Sequence, residues 1–221
     1  GENEKNVFHV GCPRIDLTKR ILESKKFKCD NKSLHLGVGD KIDLNKPFII
    51  VSQHPVTTEY DMASKQIDET IKSLLKIDCQ KIFLWPNSDA GSNVISQRIR
   101  AWRERKELNK IRFYKSFPPE TYMYLMSKAK CLIGNSSSGI REGAYIGTPV
   151  VNIGSRQNGR ERERNVIDVG YNSKEIVAAV KKQIKHGKYK KSKVYGDGNS
   201  GKRIAKILEK VKVNIQKKIS Y

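Results

Sequence analysis

A Rossmann-like α/β fold, with a doubly wound parallel sheet of about six strands and helices on both faces, is predicted by three observations. Short apolar runs alternate with amphipathic stretches of helical length along most of the chain. Strands separated by helices of this length imply a parallel sheet covered on both faces. Each run ends in a cluster of polar or small residues, and in such sheets these carboxyl-end loops hold the ligand.

The elements follow in order. Phe48–Ile49–Ile50–Val51 is the first clear buried strand. Residues 61–77 place Met62, Ile67, Ile71, Leu74 and Leu75 at helical spacing. Lys81–Ile82–Phe83–Leu84–Trp85 is a strand closed by Pro86, and a helix over 93–106 carries Val94, Ile95, Ile99 and Trp102 on one side. Residues 111–114 form the next strand. Pro118 and Pro119 open a helix with Tyr122, Leu125 and Met126, since proline suits a first turn. Cys131–Leu132–Ile133 is a fourth strand, a helix starts near Ser137, and 149–153 and 166–169 are the last two strands. Helices near 173–186 and 200–212 finish the chain. Connections of this length imply right-handed crossovers between parallel strands. Residues 1–45 fit less well: Val7–Phe8–His9–Val10 is expected as a short strand, and the Lys-rich remainder as a crossing segment with a leading helix. Residues 46–221 are expected to form the ligand-binding domain, with Lys-rich C-terminal helices.

The chain has 221 residues, 37% hydrophobic and 30% charged, which suits one globular domain with a real core. No apolar run is long enough to cross a bilayer, and no membrane partner is expected. The first residues lack the apolar stretch of a secretion signal. Cys12, Cys29, Cys79 and Cys131 form no CxxC pair or Cys/His cluster, so neither a zinc site nor any other metal is expected, and a reduced, cytoplasmic setting fits them. The formal charge of +21 calls for an acidic partner or a Lys-rich surface. The lysines spread over helix faces without interleaved aromatics, which argues against nucleic acid.

Five loops carry candidate chemistry. In Gly134–Asn135–Ser136–Ser137–Ser138–Gly139–Ile140–Arg141–Glu142 a buried strand runs through three serines into a helix. Ser136 and Ser137 can donate to a phosphate near a helix start, and Glu142, about a turn later, can accept from both hydroxyls of a ribose. The same residues would also make an ordinary capped helix with a solvent-facing Glu. His54, after the first strand, is a proton donor, a phosphate contact or a plain loop histidine. Arg156, after the fifth strand, can fork onto a pyrophosphate, whereas Arg162 and Arg164 alternate with Glu as in a solvated loop. Within Pro86–Ser92, Asp89 or Ser92 caps the next helix and Asn87 faces the ligand. At Ser116–Phe117 the backbone can bond a base edge while Phe117 walls the pocket, or the loop is simply exposed.

Taken together, Gln53–His54–Pro55–Val56–Thr57–Thr58, Pro86–Ser92, Gly134–Glu142 and Gly147–Gln157 resemble the C-terminal half of the hydrolysing UDP-N-acetylglucosamine 2-epimerases, and the resemblance spans nearly the whole chain. It implies half of a GT-B-like fold, in which two Rossmann-like domains enclose the active site. It implies the reaction UDP-GlcNAc plus water to ManNAc plus UDP, through elimination to a glycal and hydration, in the synthesis of sialic or related nonulosonic acids. By similarity, Ser136 and Ser137 hold phosphate, Glu142 the ribose, Arg156 the diphosphate region, and Ser116 and Phe117 the uracil. Asn87 lines the nucleotide site, His54 faces the reacting centre, and no cofactor is implied. The non-hydrolysing relatives carry His-Arg-Arg-Glu where this chain has His54–Pro55–Val56–Thr57, and Asp-Ser-Gly-Gly where it has Asn135–Ser136–Ser137–Ser138, which favours the hydrolysing class. The family's N-terminal domain, with its acid–base carboxylates, is absent from this sequence, so the chain is expected to be one half of an epimerase, inactive alone and a homo-oligomer when complete. A glycosyltransferase half with the same two-domain plan, and a basic nucleic-acid-binding module, are the competing expectations.

Overall fold

The computed structural model describes residues 3–24, 31–105 and 108–212; Cys29, Lys106 and the chain beyond 212 lie outside them. In chain order the elements are α1 (Pro13–Glu23), α2 (Asn31–His35), β1 (Val38–Gly39), β2 (Phe48–Ser52), α3 (Ala63–Leu75), β3 (Gln80–Leu84), α4 (Ser92–Glu104) and β4 (Ile111–Tyr114). There follow α5 (Pro119–Lys128), β5 (Leu132–Gly134), α6 (Ser137–Ile140), α7 (Glu142–Ile146), β6 (Val150–Ile153), β7 (Val166–Val169), α8 (Ser173–His186) and α9 (Ser200–Leu208). One seven-stranded sheet has the order β1-β4-β3-β2-β5-β6-β7. All neighbours from β4 to β7 are parallel, and only β1 runs antiparallel, on β4.

The six parallel strands are those expected from the apolar runs. Strand β2 is buried along its whole length, because side-chain alternation sends its residues into two different cores. Ile49 and Val51 join Ile67, Ile71 and Leu74 of α3, Ile95 and Ile99 of α4 and Ile176 of α8 on one face. Phe48 and Ile50 join Ile21 of α1 and Met123, Leu125 and Met126 of α5 on the other. Helices thus cover both faces.

Two local expectations are corrected. Residues 7–10 form no strand and pair with none among the described residues, and Val7 and Phe8 are exposed. The sheet edge is instead capped by Val38–Gly39, whose pairing with β4 leaves both residues exposed, so no apolar pattern marks it. The leading helix exists and is no mere connector: Ile15 and Thr18 of α1 are buried, and Asp16 accepts from Ser200 N (3.0 Å) and Gly201 N (2.7 Å), capping α9.

The topology fixes where a ligand can sit. From β2 the chain steps outward through β3 and β4, then returns to lay β5 on the other side of β2. Loops after β2 and β5 therefore diverge, leaving a crevice at their carboxyl ends.

Candidate nucleotide site at the strand switch point

Asn135 stitches this crevice together. Its Nδ2 donates to the His54 carbonyl (2.8 Å) while its Oδ1 accepts from the His54 N–H (2.8 Å). Its own N–H donates to the Ser52 carbonyl (3.1 Å). Its carbonyl accepts from Gln157 Nε2 (2.7 Å) and Arg156 Nη1 (3.3 Å). One fully buried side chain and its peptide thus join the loops after β2, β5 and β6. So close an approach requires glycine just before it: Gly134 has φ +126°, and a Cβ there would lie 2.1 Å from the Ser52 carbonyl oxygen.

Ser136 caps α6, its Oγ accepting from Ser138 N (3.4 Å) and bonding Ser138 Oγ (2.9 Å). Ser138 Oγ also meets the Tyr122 hydroxyl (2.7 Å) from α5, so Ser136 and Ser138 form an internal chain, and burial raises Tyr122 to about 12. Ser137 accepts from Arg141 Nη2 (3.3 Å) and lines the cleft. The helix breaks at Arg141, leaving a single turn, so the positive field here comes mainly from guanidinium groups rather than a helix dipole.

Glu142 departs from the capped-helix alternative with a solvent-facing carboxylate, being only 1% exposed. Its Oε1 accepts from Arg14 Nε of α1 (2.9 Å). Oε2 lies 3.6 Å from Arg141 Nε, with no hydrogen-bond donor among the described residues. A buried carboxylate oxygen without a donor retains its capacity to accept one.

His54 lies between β2 and the loop after β3. Its Nδ1 accepts from the Asn87 N–H (3.1 Å), which puts the ring proton on Nε2, 3.2 Å from Ser52 Oγ. Burial, and then the Arg156 charge, push the imidazole down to about 4 while Asp89 acts in the other direction, so it is neutral at pH 7. The Asn87 amide donates to Asp89 Oδ2 (2.7 Å), which also accepts from Arg156 Nη2 (3.1 Å). Hydrogen bonding from Asn87 and Arg156 holds the Asp89 carboxyl below its usual value despite some desolvation. Asp89 therefore turns its carboxylate to Arg156, and only its carbonyl, accepting from Ser92 N (3.0 Å), supports the start of α4.

A cleft of about 540 Å³ opens beside this network, between Thr57–Glu59, Asp89, Ser137 and Ser155–Arg156. Of the residues expected to bind, Ser137 and Arg156 line it directly. His54 and Asn87 are bonded into its wall, and Ser136 and Glu142 lie behind Ser137. Ser116 and Phe117 are set apart at the end of β4, two strands from β2, with Phe117 packed on Tyr114 at a ring distance of 4.5 Å. Asn135 and Gln157 lay inside the quoted motifs without a role of their own, and Arg14 and Glu59 were not singled out. Glu59 accepts from Ser155 Oγ and from Gln66 Nε2 (2.7 Å), holding the loop that carries Arg156. Among the described residues no cluster of His, Cys, Asp or Glu could hold a metal ion.

Fold and site define an α/β domain with a polar, arginine-bearing crevice at the switch point of its sheet. The profile of the family described as UDP-N-acetylglucosamine 2-epimerase matches residues 1–209, and the chain belongs to that family. It is 32% identical over 98% of its length to a Legionella pneumophila protein named UDP-N,N'-diacetylbacillosamine 2-epimerase (hydrolyzing), of which it covers 55%. It is 33% identical over 76% of its length to the Campylobacter jejuni GDP/UDP-N,N'-diacetylbacillosamine 2-epimerase (hydrolyzing), of which it covers 42%. The chain thus spans about half the length of the curated relatives it matches. Among solved structures, the Methanocaldococcus jannaschii UDP-GlcNAc 2-epimerase with UDP-GlcNAc and UDP matches 95% of this chain at TM-score 0.70, with 18% identity and 56% of that chain covered. The Neisseria meningitidis UDP-GlcNAc 2-epimerase bound to UDP-GlcNAc matches at the same TM-score, with 17% identity over 95% of this chain and 57% of that one. These two likenesses establish the shared fold.

Proposed function

We propose that this chain is the UDP-binding, C-terminal half of a hydrolysing 2-epimerase that converts UDP-GlcNAc and water to ManNAc and UDP, by elimination to a glycal and then hydration, in a cytoplasmic route to sialic or related nonulosonic acids. The observation that carries the reading is the convergence of the His54, Ser136–Ser138 and Arg156 loops on Asn135 at the switch point. In this reading Ser136, Ser137 and Arg156 hold the diphosphate, with Asn87 at their side. Glu142 offers its unbonded oxygen to the ribose, Ser116 and Phe117 border the uracil, and neutral His54 faces the reacting carbon. Neutral His54 keeps its ring proton on Nε2, beside Ser52, while Arg156 supplies the fixed positive charge for a polyanion.

The acid–base carboxylates belong, in this reading, to an N-terminal Rossmann-like domain that closes over the cleft, and the complete enzyme forms a homo-oligomer. A diacetamido sugar nucleotide is the second substrate reading, favoured by the names of the Legionella and Campylobacter relatives. Calorimetry with UDP tests the core of the proposal. Weak but saturable binding is expected, and Glu142→Gln, which keeps the shape of the side chain, should weaken it by about ten- to a hundredfold, as expected for a charge-assisted hydrogen bond worth about 1.5–3 kcal/mol. No UDP binding at millimolar ligand would overturn it.

A further inference from the structure

We infer that Asp89 is a resident competitor for the phosphate subsite, a carboxylate that holds Arg156 when no diphosphate is present and retakes it as the product leaves. The inference rests on the nucleotide-site reading above and names a residue that sets affinity and release at that site.

The geometry favours an exchange. Arg156 has two engaged ends. Nη1 is anchored to the Asn135 carbonyl (3.3 Å), inside the stitched network, whereas Nη2 is held by Asp89 Oδ2 (3.1 Å). A phosphate can therefore take Nη2 without dislodging the guanidinium. The side chains of Asp89 and Arg156 are 37% and 25% exposed, so their pair is reachable from the cleft that both line. Exposed ion pairs are weak, whereas guanidinium–phosphate contacts are charge-assisted and able to be bidentate, so the exchange runs toward phosphate when ligand is present. Asp89 and Glu59 are the carboxylates that line the cleft and oppose the entry of an anion, and of the two Asp89 is the one bound to Arg156, with Asn87 donating to the same Oδ2 (2.7 Å). The loop is set by Gly91 at φ +91°, and Asn87, Ser88 and Ala90 are exposed, so the carboxylate can swing outward without unpacking a core.

The test is UDP binding to the full chain, by calorimetry for affinity and stopped-flow for release. Asp89→Asn keeps an acceptor for Asn87 but removes the charge. It should tighten UDP binding by roughly three- to tenfold, mostly through slower dissociation, a change on the scale of a released surface ion pair. Arg156→Gln should weaken binding, and adding Asp89→Asn to it should restore little, since the competitor then has nothing to hold. Asp89→Ser, of similar charge effect but different shape, guards against a local folding defect in the first variant. Wild-type binding with no gain in either Asp89 variant, or with a loss, overturns the inference and leaves the nucleotide site standing. No binding by any chain overturns both.

Discussion

At the scale of single residues, the site depends on contacts between positions far apart in sequence. The place of Ser136, Ser137, Arg156 and His54 in the carboxyl-end loops was legible because each follows a strand. The joining role of Asn135 was not, because it lies in bonds to a segment 81 residues away. Arg14, 128 residues from Glu142, was hidden for the same reason, and with it the burial of the carboxylate. The same connectivity gives His54 its testable property. With a native pKa near 4 against about 6.5 for a free imidazole, the unfolded chain takes up a proton that the native state does not between those values. Stability should therefore fall as pH drops from about 6.5 toward 4, and His54→Asn should flatten part of that slope. Urea titrations of both chains at pH 5 and pH 7 measure it. An equal loss in both would show that His54 is not held neutral. Comparing the two chains also separates His54 from carboxylates such as Asp89 and Glu69, whose lowered values remove stability as pH falls further.

At the scale of elements, periodicity sufficed wherever burial is two-sided or amphipathic, which covers all six parallel strands and the long helices. It failed where a short edge pairing is held by contacts that no apolar stripe marks. Val38 and Gly39 carry no apolar stripe, and their place follows from the neighbouring Arg112, whose Nη1 donates to the Gly39 carbonyl (3.0 Å) and whose Nη2 donates to that of His35 (3.1 Å). The break between α6 and α7 was equally invisible, since Ser, Gly and Glu suit a continuous first turn as well as two short ones. Helix α8 shows two ways of fastening an element. Asn172 caps it from the surface, accepting from Lys174 N (2.9 Å) and Glu175 N (3.3 Å). Gln183 fastens it from within, fully buried, donating to the carbonyls of Val150 (2.7 Å) and Asn165 (2.8 Å) and accepting from the Tyr189 hydroxyl (2.8 Å). Asn172→Ala should cost about 1 kcal/mol. Gln183→Met should cost more, about 2–3 kcal/mol, because it leaves buried partners unpaired. Chemical denaturation of the two variants ranks them, and equal losses would mean that Gln183 is replaceable by packing alone.

For the whole molecule, the question is whether a chain half as long as its relatives behaves as a unit. The structure argues that it does: α1 and α9 are tied by Asp16, and both sheet faces are covered by the chain's own helices. A folded domain with a formed site gains stability from its ligand by mass action, by about 2.7 kcal/mol when free ligand is one hundred times its dissociation constant. For a domain of this size that corresponds to a rise in melting temperature of roughly 5–10 °C. UDP at saturating concentration should therefore raise the melting temperature, and Arg156→Gln should reduce the shift at the same ligand concentration. Catalysis makes a different demand. The proposed elimination and hydration require carboxylates placed on the sugar, whereas the carboxylates lining this cleft, Glu59 and Asp89, are bound to Ser155 and Arg156. The chain alone should then bind UDP and UDP-GlcNAc with similar thermal shifts yet release no ManNAc, as followed by product chromatography over hours. Turnover by the chain alone would place the acid–base groups on it and make Glu59 and Asp89 the first residues to replace.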